Sequence, residues 1–224
     1  EEFMGSLAHE MKTPLTSIIG YADLMRIENL SEEEQKEACG YIYSEGKRLQ
    51  NLSLKLMNLL VLKNQEFQMK KQNLVPMIHE VISSMQYRLQ EQKILVNLNL
   101  KPTICEVEAD LLKSLILNLV DNSLKSMNVG GILTIECCPA QEGAKIYVSD
   151  TGCGMPKGEL DKITEAFYRV DKSRSRKQGG VGLGLALCKE IVRIHKGDME
   201  FISQEEKGTT AIITIGGGHY EKTD

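Results

Sequence analysis

His9 and Glu10 stand side by side, with Thr13 one helical turn further on and Pro14 directly behind it. An imidazole with the usual pKa near 6.5 is mostly unprotonated at neutral pH, so one ring nitrogen is a nucleophile. A neighbouring carboxylate can take the proton from the other nitrogen, which makes Glu10 a candidate general base. His9 lies two residues from both Leu7 and Met11, roughly 200° around a helix from that apolar stripe, and this predicts a solvent-facing ring. Pro14 has no N–H for the helical ladder, so the helix is expected to loosen or bend one turn after the histidine.

A second group of residues points to bound phosphate. Asn118 and Asn122 are spaced i and i+4, which puts both amides on one helix face, with Lys125 close behind. An amide oxygen suits a hard cation, and an ammonium suits a phosphate. Asp150 follows an apolar alternating run directly, and Gly152 and Gly154 let a ligand approach the backbone beside its carboxylate. The run Gly179-Gly180-Val181-Gly182-Leu183-Gly184-Leu185 opens a helix, whose bare N–H groups and dipole favour an anion. Leu185 excludes a dinucleotide fingerprint, and Gly46-Lys47-Arg48 within a helical stretch excludes a P-loop. Residues 169–178 carry Arg169, Lys172, Arg174, Arg176 and Lys177, charge enough for a lid over a triphosphate. Lys207-Gly208-Thr209-Thr210 precedes the final strand.

These residues need two different platforms. Residues 3–66 are helix formers interrupted near Asn29-Leu30-Ser31, where Ser31 and Glu34 form a capping box. The first helix offers Leu7, Met11, Ile18, Ala22 and Met25; the second offers Leu49, Leu52, Leu56 and Leu59, widened by Met57 and Leu60. Two such broad faces cannot both be buried within one hairpin, which predicts pairing with a second copy as a four-helix bundle. The alternative is a hairpin packed on the rest of its own chain. After a polar connector, residues 64–72, strands are expected at 94–100, 104–107, 132–138, 144–149, 199–202 and 211–215. Helices are expected at 75–91, 110–127 with Asp110 as N-cap, and 183–195. The fold class is therefore α+β: a helical hairpin, then an α/β sandwich with helices on one face of a mixed sheet. The boundaries are 1–67 for the hairpin, 68–72 for the linker, 73–218 for the second domain and 219–224 for a tail.

Composition narrows the partners. The 224 residues hold 27 basic and 31 acidic side chains, a net charge of −4 that lacks the basic face of a nucleic-acid binder. The six cysteines have neither CxxC nor metal-ligand spacing and are expected to be reduced packing residues. No apolar run approaches the roughly 18 residues needed to cross a bilayer. A start in mid-helix without Met is expected of a piece of a longer protein.

Taken in order, the phosphate-related boxes resemble the ATP-binding domain of the sensor histidine kinases, a nucleotide fold of the Bergerat type shared with gyrase-type and Hsp90-type ATPases. Asn118, Asn122 and Lys125 look like the N box, and Asp150, Gly152 and Gly154 like the first glycine box. Phe167, Tyr168 and Arg169 resemble part of the F box, Gly180, Gly182, Leu183 and Gly184 the second glycine box, and Gly208-Thr209 the last. The resemblance implies that Asn122 ligates Mg2+, that Asp150 bonds the adenine amino group, and that Lys125 and Arg169 stabilise the phosphates of ATP. Residues 9–15, His-Glu-Met-Lys-Thr-Pro-Leu, resemble the family's phospho-acceptor box. They imply autophosphorylation of His9 within a homodimer and transfer to an aspartate of a response regulator docked beside it. Thr13 implies a water-orienting role in dephosphorylating that partner. A gyrase-type or Hsp90-type clamp gives no reason for the solvent-facing His-Glu-x-x-Thr-Pro helix, and a non-catalytic scaffold gives none for the intact boxes. Three positions depart from the family pattern: Ser126 and Met127 where an aromatic is common, Thr164 for the first F-box aromatic, and Lys196 where glycine is usual. The family also implies a cytoplasmic domain whose parent is anchored in the cell membrane by segments outside this chain.

Overall fold

The computed structural model describes residues 2–27, 30–127, 129–141, 143–170 and 181–216. Two long antiparallel helices, α1 (Glu2–Ile27) and α2 (Glu32–Asn64), form the hairpin. Ser31 caps α2 as its spacing predicts: the Ser31 N–H donates to Glu34 Oε2 at 2.8 Å and the Glu34 N–H returns to Ser31 Oγ at 3.4 Å. Tyr21 and Tyr41 stack across the hairpin with centroids 4.6 Å apart. Helix α1 runs unbroken through Pro14, and the Thr13 and Thr16 hydroxyls bond back to the carbonyls of His9 and Lys12. Such back-bonding helps a helix absorb the bend that a proline imposes. Among the described residues no helix is long and apolar enough to cross a membrane.

The second domain follows as β1 (Lys70–Asn73), α3 (Leu74–Ser84), α4 (Gln86–Glu91), β2 (Ile94–Leu100), β3 (Ile104–Val107) and α5 (Ala109–Ser126). It continues with β4 (Gly131–Ala140), β5 (Gly143–Asp150), a short 3-10 turn (Lys157–Glu159), α6 (Gly184–Ile194), β6 (Asp198–Gln204) and β7 (Gly208–Ile215). The main sheet has the order β2-β4-β5-β7-β6, with β2 and β4 parallel and the other pairs antiparallel. Alternation puts Leu133, Ile135, Ile146, Val148 and Ile213 into the core, where Leu115 and Leu119 of α5 and Ile191 of α6 meet them.

Three local expectations are corrected. Residues 70–72, placed in the connector, form β1 together with Asn73 and pair antiparallel with β3; a polar Lys-Lys-Gln-Asn run carries no apolar alternation to reveal it. The helix expected over 75–91 breaks at Met85 into α3 and α4. Helix α5 is capped by Glu108, whose carboxylate accepts from the Leu111 N–H at 2.7 Å, rather than by Asp110, which lies inside the first turn. At the end of α6 it is Lys196 that takes the left-handed conformation, φ 51°, at a steric cost of ~1 kcal/mol that glycine would avoid. Gly197 serves a different need, since a Cβ there would stand 2.0 Å from the Thr214 carbonyl oxygen.

The hairpin stripe serves two surfaces. Leu52, Leu59 and Leu62 are buried in a core continuous with that of the second domain, so α2 does pack on its own chain. Met57 and Leu60 remain 58% and 49% exposed, as do Met11 and Leu15 on α1 at 48% and 50%.

His195 joins the two long helices of the second domain. Its Nε2 accepts from the Glu108 N–H at 3.1 Å and its Nδ1 meets the Ile191 carbonyl at 2.8 Å, which fixes the neutral Nδ1–H tautomer. Burial holds its pKa below the ordinary value against the opposing pull of the two backbone bonds. A depressed folded pKa means that the unfolded chain binds more protons, so the contribution is whole above pH ~6.5 and is lost as pH falls through the folded value. Thermal unfolding from pH 8 to 5 is expected to show this loss, at most ~1.4 kcal/mol per pH unit, and His195→Gln is expected to flatten it.

Candidate active site

A cleft of about 770 Å3 opens between α5, the end of β5 and the start of α6. That is within the ~300–1,000 Å3 common for small-molecule sites. Its apolar part includes Leu119, Val148, Ile163 and Phe201; Asn122 and Lys125 stand toward its polar part.

Asp150, at the carboxyl end of β5, is held from three sides. Its Oδ1 accepts from the Gly152 N–H at 2.8 Å and from Ser126 Oγ at 3.0 Å, and its Oδ2 accepts from Ser123 Oγ at 3.0 Å. Burial pushes its pKa up, and these hydrogen bonds only partly oppose the shift. Ser126, a departure in sequence, is therefore a support for Asp150, and Gly152 is required because a Cβ there would lie 2.2 Å from Ser126 Oγ. Ser123 carried no signal of its own beyond its place in the N-box helix.

Along α5, Lys125 Nζ pairs with Asp121 Oδ2 at 2.7 Å, and Arg88 pairs with Asp121 Oδ1 at 2.7 Å. Burial opposes ionisation of Asp121, but the bonds and charges of Lys125 and Arg88 outweigh it and hold the carboxyl below its usual range. Asn118 donates to the Ser114 carbonyl at 2.7 Å, and its Oδ1 would lie 3.3 Å from a Cβ on Gly184. The N-box face thus abuts the start of α6, where, among the described residues, Leu183 gives the first N–H groups no side-chain cap. Gly182, with φ 75°, passes so close to Phe167 and Tyr168 that a Cβ would stand 2.8 Å from the Tyr168 carbonyl oxygen. Gly154 and Thr209 also line the cleft, with Thr209 Oγ1 2.9 Å from Ser203 Oγ.

Two sequence candidates, Phe167 and Leu183, stand elsewhere. Phe167 turns away from the cleft and packs its ring 5.2 Å from that of Phe3 on α1, while its N–H donates to the Gly182 carbonyl. Leu183 is fully buried and serves the core. Gly180 and the basic residues 172–177 of the expected lid lie outside the described residues. Tyr168 lines the cleft and its hydroxyl donates to Glu159.

His9 is exposed as the helix geometry predicts. Glu10 is not: it is only 8% exposed, its Oε2 lies 2.9 Å from Arg48 and its Oε1 2.6 Å from Arg169. Helix α1 presents the two neighbours about 100° apart, so the turn that exposes His9 carries Glu10 inward. Arg48, which sequence reading met only as the residue that spoils a P-loop, is the second clamp on this carboxylate. Thr13 lies one turn beyond His9, its hydroxyl 3.3 Å from the His9 carbonyl.

The donor set fits a nucleotide with its metal: an apolar pocket ending on a fixed carboxylate, one amide oxygen, three cations (Lys55, Lys125 and Arg169) and a helix start with no side-chain cap among the described residues, with glycines wherever a Cβ would close the walls. Residues 107–217 match the histidine kinase-, DNA gyrase B-, and HSP90-like ATPases, and residues 1–59 match the His Kinase A (phospho-acceptor) domain. The sensor protein SrrB of Staphylococcus aureus is 28% identical over 221 residues, covering 96% of this chain and 38% of that protein. The chain thus spans about two fifths of the length of the curated relatives it matches. The histidine kinase AdeS of Acinetobacter baumannii shares the fold with a TM-score of 0.73 at 19% identity, over 94% of this chain and 98% of that one. Histidine kinase ThkA, in a structure with response regulator protein TrrA, does so with a TM-score of 0.79 at 22% identity, over 96% of this chain and 61% of that one.

Proposed function

The chain is the catalytic core of a sensor histidine kinase, a family to which its phospho-acceptor and ATPase domains together assign it, and from that premise we propose that it phosphorylates His9 from Mg-ATP and passes the phosphoryl group to an aspartate of a response regulator. One joint carries the reading: Arg169 lines the cleft and its guanidinium reaches Glu10, the residue next to His9. Cleft and acceptor helix are thereby in contact through a cation suited to a transferring phosphoryl group.

Bound Mg-ATP supplies the transferable group. Asn122 gives an amide oxygen to Mg2+, with the remaining ligands left to phosphates and water, as that ion prefers. Asp150 accepts from the adenine amino group, and Gly154, Tyr168 and Thr209 close around the nucleotide. Lys125 and the N–H groups from Gly182 to Gly184 take phosphate oxygens. Asn118 and Gly152 act by packing against Gly184 and Ser126. A ring nitrogen of His9 bonds to the γ-phosphorus of ATP as the bond to the β–γ bridging oxygen breaks and ADP leaves, and the proton on its other nitrogen passes to Glu10 once Arg169 has turned to the phosphates. Thr13, on the acceptor face, orients a water for the reverse task of dephosphorylating the regulator.

Ser126→Ala removes one of the donors that aim Asp150. It is expected to weaken ATP binding three- to tenfold by calorimetric titration, since a hydrogen bond to a charged group is worth ~1.5–3 kcal/mol and part of that reaches the ligand.

The exposed apolar faces around Met11, Leu15, Met57 and Leu60 support a homodimer through a four-helix bundle. Radiolabelled Mg-ATP tests the reading. The protein is expected to take up label that survives alkali and is lost in acid, and to hand it to a receiver domain. Acid-stable label, or ATP hydrolysis with no labelled protein, would overturn it.

A further inference from the structure

Leu52, Lys55, Leu59 and Leu62 fall at i, i+3, i+7 and i+10 on α2, the face packed against the second domain. Three of the four are buried leucines; the fourth is a lysine. Lys55 is half-buried and lines the cleft together with Asn122, Lys125 and Gly184, although it belongs to the hairpin. No ion pair to Lys55 is found among the described residues. The nearest carboxylate in charge terms is Asp121, both of whose oxygens are occupied, by Arg88 and Lys125. Burial first, and then the like charge of Lys125, hold the Lys55 ammonium below its ordinary pKa.

A lysine in an apolar stripe, set against a second lysine, is unfavourable in the unliganded protein and becomes favourable when a polyanion enters between them. We propose that Lys55 is a phosphate ligand of the bound nucleotide, donated to the ATP-binding cleft by the helical hairpin. This rests on the ATP-binding reading and deepens it. Nucleotide phosphates then tie the hairpin to the second domain, and by linkage the docked arrangement and ATP affinity strengthen each other. Adenosine, lacking phosphates, has no such effect.

The test is calorimetric titration of the full chain with ATP and with adenosine, for wild type, Lys55→Met, Lys55→Arg and Lys63→Met. Methionine suits the apolar stripe, so folding is expected to persist, and thermal unfolding without nucleotide checks it. Lys55→Met is expected to weaken ATP roughly tenfold, the scale of one lost charged hydrogen bond, and to leave adenosine unchanged. Lys55→Arg keeps most of the ATP affinity, and exposed Lys63→Met matches wild type. ATP affinity of Lys55→Met within twofold of wild type overturns the proposal alone. A wild-type chain that binds no ATP overturns the ATP-binding reading as well.

Discussion

His9→Gln is expected to take up no acid-labile label from Mg-ATP, while its ATP affinity and melting temperature stay at wild-type values. Glutamine keeps much of the size and polarity of the imidazole but has no lone pair on a basic nitrogen, so the acceptor is lost and little else. The ring is exposed, and substitutions at such sites usually change stability by less than ~0.5 kcal/mol. The chain holds four histidines, so the assignment has rivals. His195 is not one, because both its ring nitrogens are engaged in the core. His79 is exposed on α3, and its own glutamine variant is the control. Label that persists in His9→Gln and vanishes in His79→Gln would reassign the acceptor.

The exposure of His9 was legible because helix geometry sets it away from the apolar stripe of α1. The same locality made the strands readable: β2 and β3 begin and end where apolar alternation does, and β7 is missed only at its glycine-threonine start. Strand β1 was not legible, since its four polar residues become a strand only by pairing with β3, more than thirty residues away. The cap of α5 was misplaced by two residues, between Glu108 and Asp110, and the less usual capping residue is the one used. In the site, the glycines announced close approach, and Gly152, Gly154, Gly182 and Gly184 each meet a neighbour where a Cβ would go. Phe167 carried only its resemblance to the F box, and nothing local to it announces its left-handed backbone or its packing on Phe3 of α1. The Glu10 cluster was beyond reach of any local pattern. Its partners are 38 and 159 residues away, and only the docking of the two domains brings them together.

That cluster yields the second large effect. Glu10→Gln is expected to slow labelling of His9 by ~10²–10⁴-fold at saturating ATP, the range for loss of a general base, without weakening ATP binding. Both oxygens of the Glu10 carboxylate are engaged, Oε2 by Arg48 and Oε1 by Arg169. It becomes a base only when Arg169 leaves, and the phosphates in the cleft that Arg169 lines are what can draw it away. The amide of glutamine still accepts one guanidinium bond but releases the charge that holds the other, so ATP affinity is expected to equal or exceed that of wild type. Glu10→Ala behaves differently. It leaves two buried guanidiniums facing each other and is expected to lower stability by ~3 kcal/mol, the cost of breaking a buried ion pair from one side. Labelling rate, ATP titration and thermal unfolding of the two variants separate the roles. Wild-type labelling by Glu10→Gln would reduce Glu10 to a strut between domains. Weakened ATP binding by that variant would instead mean that Arg169 depends on Glu10 for its place at the cleft.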